Sequence, residues 1–413
     1  MQPLPGFRDF LPSDCARRNY IFGKWREVAR RYGFVEWDGP ILEPTELYRK
    51  KSGDEIVGQL FHFVDKGERD VALRPELTPT LARVVAAHER EFKKPLKWFS
   101  IGQFFRYEKQ QRGRLREHFQ LNCDIIGETS LAADVELIAL AIDLLRSFGL
   151  SETDFVIRLS DRQFWTDFLR SQGVAENRWQ EILEIIDKSE RESPEKTKEK
   201  LGDLAAPVFN LLAEGGKSDR LNEVMNGLHT RGLADYVNVD VRIVRGLAYY
   251  TGIVFEIFDR AGKLRAIAGG GRYDNLISQL SDGGAALPAL GFAMGDVVLG
   301  ELIGETARAR EEMDMAIRDD HLVEIYIVIA KEERRESALH HMQALRDHGY
   351  RVDYPLTAAK VPKQFQTAEQ LGARVAVLFG DEWPDVAVKN LASGEQQSVP
   401  SEKLASHLES VLR

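Results

Sequence analysis

The chain has 413 residues, of which 43% are hydrophobic and 29% charged, and a formal net charge of −9. That length exceeds one typical hydrophobic core, so two or three domains are expected. No apolar stretch approaches the ~20 residues of a bilayer span and MQPLPGFRDF resembles neither a signal nor a transit segment, which predicts a cytoplasmic protein with no membrane partner.

Two cysteines, Cys15 and Cys123, are too few for a disulfide framework or a cysteine zinc site, and no metal ligand set is predicted. The acidic balance argues on charge alone against nucleic acid, and DNA is not expected as a partner. Local basic stretches, at 106–116, at 49–51 and in the lysines of the last third, leave room for RNA phosphates.

In chain order, Ser13 is a candidate cap for a helix whose stripe Ile21, Trp25, Val28 and Tyr32 follows helical spacing, with Gly33 as its stop. FVEWDGPILEPTELY then predicts a strand with Pro40 inside it, which suits an edge because proline cannot donate to a ladder. Two β-rich segments, around Trp98–Glu108 and His118–Ile126, flank a loop with Lys109, Arg112, Arg114 and Arg116, and Arg106 enters from the first strand. Guanidinium forks at that density suit a polyphosphate, because they match phosphate oxygens in pairs and stay charged. A solvated charged hairpin is the plainer alternative.

From Asp161 to Tyr236 the pattern is helical, charged and poor in aromatics, and Lys188–Lys200 reads as a solvated surface. VRIVRGLAYYTGIVFEIFD (241–259) and AIAGGGRYDNL (266–276) follow. Here Arg245, Tyr249 and Tyr250 are candidates to face a polar pocket built on a sheet, although an ordinary antiparallel hairpin has the same residue pattern. A charged helical linker spans Gly304–Asp320. Strands at 322–330, around RVDYP and at 374–380 then alternate with helices at 332–348 and 362–371, predicting a parallel or mixed α/β sheet.

Four phrases, ALRPELTPTLARVV, FFRYEKQQRGRLREHFQ, VRGLAYYTGIVFE and GGGRYDNL, resemble in chain order and spacing the TLRPE-type segment, motif 2 and the two histidine-specific motifs of histidyl-tRNA synthetases. KQFQTAEQLGARVAVLFGDEW resembles the anticodon-binding domain shared with the prolyl, threonyl and glycyl enzymes. The resemblance implies an α+β class II aminoacyl-tRNA synthetase catalytic domain, an antiparallel sheet with flanking helices, over 1–160 and 236–305. It implies also a helical insertion over 161–235, a linker over 306–320 and an anticodon-binding-like α/β domain over 321–413. L-histidine, ATP and tRNA-His are the implied partners, with Mg²⁺ on the phosphates and a homodimer formed through the motif 1 region.

By position, Glu76 and Thr78 match residues that receive the α-amino group of histidine, and Gln120 matches another amino-acid contact. Tyr250 and Tyr273, with Tyr249 beside them, match the lining of the imidazole pocket, where Asp124 stands for a longer glutamate. Arg106 matches the arginine on the α-phosphate of ATP, and Glu108, Arg114 and Arg116 belong to the segment that covers the nucleotide. Arg245 matches the arginine that stabilises charge as the histidine carboxylate attacks the α-phosphorus. Both Arg106 and Arg245 are thereby expected to be catalytic.

Three positions depart from the common pattern: Ala248 replaces an aspartate, Asp124 is short, and Val298 stands where an arginine stacks on adenine. Phe119 or Arg114 is the expected replacement grip. As a set these variants resemble a branch found in plant organelles and some bacteria. The alternative is a non-aminoacylating, histidine-sensing regulatory subunit of ATP phosphoribosyltransferase. Such chains typically lack the C-terminal domain and have eroded motif 2 arginines, whereas this chain keeps both.

Overall fold

The computed structural model describes residues 2–52, 54–108, 111–190, 192–215, 218–244, 249–319 and 323–412. The chain divides into two compact units, 1–313 and 314–413.

Unit 1 carries β1 (Val35–Glu36), β2 (Leu42–Pro44), β3 (His62–Val64), β4 (Asp70–Leu73), β5 (Leu96–Phe105), β6 (Glu117–Ile126), β7 (Phe155–Asp161), β8 (Val237–Val239), β9 (Ile253–Asp259), β10 (Ala268–Arg272) and β11 (Ala289–Gly295). Among the described residues an eight-stranded sheet has the order β1-β5-β6-β11-β10-β9-β7-β8, and β2, β4 and β3 form a small antiparallel sheet beside it. The six central strands pair antiparallel, and the short edge strands β1 and β8 join parallel. The expected antiparallel sheet is therefore the centre of a mixed one.

Helix α1 runs Pro12–Arg31, with α2 at Thr45–Ser52, α3 at Thr78–Ala87 and α4 at Leu131–Arg146. α1 buries Ile21, Trp25, Val28 and Ala29, most of the expected stripe, and Tyr32 follows it as the C-cap, its hydroxyl donating to Asp143 of α4 at 2.7 Å. Ser13 does not cap it. Leu11 is the N-cap and Pro12 begins the helix, where a missing N–H costs nothing, while the Asp14 carboxylate accepts from the Leu11 N–H at 3.3 Å. Pro40 lies outside any strand, because the chain turns between β1 and β2 where one continuous strand was predicted.

α4 packs on β6 and β11 and has a nearly all-apolar buried face. Between β7 and β8 the described residues are largely helical, with five α-helices among them from Arg162–Ser171 to Asp219–Thr230.

Unit 2 holds β12 (Ile325–Ile329), β13 (Val352–Asp353), β14 (Val375–Phe379), β15 (Asp385–Asn390) and β16 (Gln396–Pro400) in the order β13-β12-β14-β15-β16. The first three pair parallel and the last two antiparallel, so the sheet is mixed. All five residues of β12 are buried, as a parallel strand covered on both faces requires. Ile325, Ile327 and Ile329 join Leu345 and Leu408 in one cluster, and Tyr326 and Val328 join Ala368 in another.

Candidate active site

β6 is the floor of the site. Its residues alternate faces, so His118, Gln120, Asn122 and Asp124 line a cavity of about 720 Å³. Phe119, Leu121 and Cys123 turn the other way, and Phe119 packs against Phe10 and Phe22 with the Arg18 guanidinium over its ring. Strand parity thus removes Phe119 as a grip for adenine and puts His118 on the cavity wall instead. Burial, followed by the repulsion of Arg106, Arg8 and Arg114, holds the His118 imidazole down at about 3, so the ring is neutral at physiological pH.

The register of β6 is fixed by a buried polar cluster that no local pattern announces. Arg8 donates to Asp296 at 2.8 Å and to both carboxylate oxygens of Glu117 at 3.3 Å, Gln103 donates to Glu117 at 3.1 Å, and Asp296 accepts from the Phe119 N–H at 2.9 Å. Asp296 is thereby committed to holding the strand, and it is absent from the cavity wall.

At one end of the cavity stand Glu76, Thr78, Asp124, Tyr249, Tyr250 and Tyr273. Asp124 sits opposite Gly291 of β11, and a side chain at Gly291 would overlap its carboxylate, so only glycine leaves Asp124 in place. The Tyr273 hydroxyl donates to Asp124 Oδ1. Burial pushes the Asp124 carboxyl up to about 7, against the downward pull of that hydroxyl, and burial beside Asp124 pushes the Tyr273 phenol well above its ordinary range. The Tyr249 ring lies 4.5 Å from that of Tyr250 and meets Tyr273 edge-on at 6.1 Å.

Tyr273 is held from behind by its neighbour Arg272. This guanidinium, 3% exposed, donates to the Glu128 carbonyl at 2.8 Å and pairs with the buried Asp134 at 2.5 Å. In GGGRYD the arginine is thus structural and the tyrosine faces the pocket.

At the other end lie Arg106, Gly113, Arg114, Phe258, Leu264, Arg265, Val297 and Val298. Arg106 Nε donates to the Pro75 carbonyl at 3.1 Å, which ties it to the segment bearing Glu76 and Thr78. Arg114 pairs with Glu108. Glu108 and Arg116 are not on the cavity wall: Arg116 Nε donates back to the Glu108 carbonyl at 3.1 Å and its guanidinium covers the Tyr107 ring at 4.6 Å. Arg245, Ala248 and Lys109 lie outside the described residues.

Val298 packs under the turn at Gly113, where an added Cβ would come within 3.3 Å of Val298 Cγ2 and 3.5 Å of Arg265 Cδ. Arg265 Nη1 also donates to Gln111 at 3.2 Å. Of the residues the sequence reading passed over, His118 and Asn122 were recoverable from their two-residue spacing with Gln120 and Asp124. Arg265 carried no such signal, because its approach to Val298 and Gly113 is purely tertiary.

A mixed sheet with a polar, tyrosine-walled cavity at one end and arginines at the other, followed by a separate α/β unit, defines the class II type of ligase catalytic domain. The family model for histidyl-tRNA synthetase matches residues 6–296, and that for an anticodon binding domain matches 324–410. Histidine–tRNA ligase of Opitutus terrae is 44% identical, covering 98% of this chain and 97% of that one. The chloroplastic/mitochondrial histidine–tRNA ligase of Arabidopsis thaliana is 40% identical, covering 97% and 85%. The crystal structure of histidyl-tRNA synthetase from a Nostoc species superposes with a TM-score of 0.77 at 25% identity, covering 99% of each chain. The chain belongs to the histidyl-tRNA synthetase family. Among its described residues no helix is long and apolar enough to cross a membrane.

Proposed function

We propose that the chain ligates L-histidine to tRNA-His through a histidyl-adenylate. The carrying observation is the polarity of one continuous cavity, with carboxylates and phenols at one end and Arg106 and Arg114 at the other. An amino acid carries an ammonium, a side chain and a carboxylate, and only the last must meet a phosphate.

In this reading Glu76 and Thr78 take the ammonium by charge-assisted hydrogen bonds, Gln120 assists, and Asp124, Tyr249, Tyr250 and Tyr273 hold the imidazole. The carboxylate oxygen then attacks the α-phosphorus in line. The new O–P bond forms as the bond to the bridging oxygen breaks, and pyrophosphate leaves with that electron pair. Arg106 and Arg245 stabilise the charge that grows on the α-phosphate, and Arg114 the charge that leaves. The purine lies at the Val298 end, between the neutral His118 ring and Arg265. The terminal ribose hydroxyl of the tRNA then attacks the acyl carbon and releases AMP.

No group of three or more His, Cys, Asp or Glu that could hold a metal occurs among the described residues. In this reading Mg²⁺ enters with ATP, on the phosphate oxygens and water it prefers. A cytoplasmic setting accords with this use of ATP and tRNA. Residues 324–410 contact the anticodon end.

Homodimerisation through the N-terminal region is supported by the exposed apolar side chains Val35, Ile41, Leu42, Phe63 and Val64 on and around β1 to β3. Sedimentation at micromolar concentration should give twice the chain mass, and a monomer would contradict it. Histidine-dependent exchange of pyrophosphate into ATP tests the reaction itself. Exchange above the no-histidine control is expected, and its absence beside an active control enzyme would favour the regulatory alternative.

A further inference from the structure

The stretch between β4 and α3, residues 74–77, belongs to no strand or helix, yet it carries Glu76 to the cavity wall. Arg74 holds it in place. The guanidinium of Arg74, 1% exposed, donates through Nε to the Gln103 carbonyl of β5 at 3.0 Å and through Nη1 to the Gly39 carbonyl at 2.9 Å and to Asp38 at 2.8 Å. It lies over the Phe104 ring at 4.9 Å, and a side chain at Gly102 would overlap it, so glycine at that point of β5 leaves it room. The Arg74 N–H donates to the Ile41 carbonyl at 2.8 Å, and the Arg74 carbonyl accepts from the Phe105 N–H at 3.0 Å. With Arg106 on the Pro75 carbonyl, the two residues before Glu76 are pinned to β5 and to the turn after β1. A planar fork reaches a strand and a turn at once, which a single ammonium does not.

We propose that Arg74 is a positioning residue for recognition of the amino-acid ammonium: absent from the cavity wall itself, it fixes the place from which the Glu76 carboxylate meets that group. The proposal rests on the assignment of Glu76 above. A charge-assisted hydrogen bond in a binding site needs its acceptor held to within about 0.5 Å, and a segment without ladder or helix bonds takes that precision from the side chains behind it.

The test is calorimetric binding of histidine, of histamine, which lacks the carboxylate, and of imidazolepropionate, which lacks the ammonium. Arg74→Gln should weaken histidine and histamine about tenfold, the scale of one misplaced charge-assisted hydrogen bond, and leave imidazolepropionate unchanged. At saturating histidine, kcat for pyrophosphate exchange should change less than about threefold. Arg74→Lys, which keeps the charge without the fork, should show the same selective loss. A merely structural role would weaken all three ligands together, and that result overturns the proposal, as does wild-type affinity in Arg74→Lys. Should neither variant fold, Asp38→Ala removes one acceptor at a position 60% exposed. Its loss should be smaller and again confined to histidine and histamine; no loss, or one shared by imidazolepropionate, overturns the proposal. Glu76→Gln separates the proposal from the reading beneath it. Selective loss in Glu76→Gln with none in the Arg74 variants contradicts the positioning role alone, whereas unchanged histamine binding in Glu76→Gln contradicts the assignment of Glu76 and the positioning role with it.

Discussion

The two ends of the cavity are built on different terms. At the amino-acid end the recognition groups stand on paired strands or beside them: Asp124 on β6 faces Gly291 across the ladder, and Tyr273 follows β10 with Arg272 locked behind it. At the other end Arg106 and Arg114 sit on the chain between β5 and β6, where Arg114 pairs with Glu108 and, off the cavity wall, Arg112 pairs with Glu305 at 2.7 Å. The first end is held by the sheet and its own hydrogen bonds, whereas the second rests in internal ion pairs that the proposed reaction would exchange for phosphate oxygens. In the proposed reaction, sheet geometry sets amino-acid specificity and the loop supplies transition-state charge.

The largest effect should come from Arg106, which is tied to the Glu76 segment through the Pro75 carbonyl. Arg106→Ala is expected to slow adenylate formation about 10²–10³-fold in single-turnover measurements while changing histidine Kd by less than about threefold, because its charge matters most as the α-phosphate becomes more negative. Weakened histidine binding with a normal rate of adenylation would assign it to ground-state binding instead.

The second effect is a pH signature of Asp124, at the amino-acid end. The folded Asp124 carboxyl titrates near 7, above the ordinary carboxylate range of the unfolded chain, so between about pH 4 and 7 the folded state holds the extra proton. Its contribution to stability is therefore fully present below the unfolded value, is lost as pH rises through about 7, and stays level above. Asp124→Asn removes that slope. In denaturant titrations the stability of wild type relative to the variant should fall from pH 5 to 7.5, and a constant difference would show that Asp124 is ionised throughout.

Much of this contrast was legible in the sequence. The tyrosines and glycines of 249–273 announced a polar pocket on a sheet, and the arginines of 106–116 a cationic segment, two of whose members, Arg106 and Arg114, reach the cavity wall, because strand periodicity and charge density are local properties. What misled was parity and distance. Phe119 and His118 differ by one residue and face opposite sides of the sheet, and only the ladder fixes which one sees the cavity. Arg8 reaches Asp296 across 288 positions, and Arg265 reaches the Gly113 turn from another hairpin, so no window of sequence contains either contact.

The smallest effect concerns Val298. Its methyl already supports the turn at Gly113, so Val298→Arg should displace the loop without improving its grip, leaving ATP KM unchanged or up to threefold higher. Arg265→Ala should raise ATP KM about fivefold, the scale of a stacked guanidinium at an exposed site. A tenfold fall in ATP KM for Val298→Arg would show an impaired site rather than a rebuilt one.

The most direct measurement is the charging of a tRNA-His transcript with labelled histidine by the purified full chain in the presence of ATP and Mg²⁺. The account predicts histidine esterified to that tRNA, dependent on ATP, and absent with a transcript for another amino acid. A chain that binds histidine yet charges no tRNA, under conditions where a control ligase does, would contradict it.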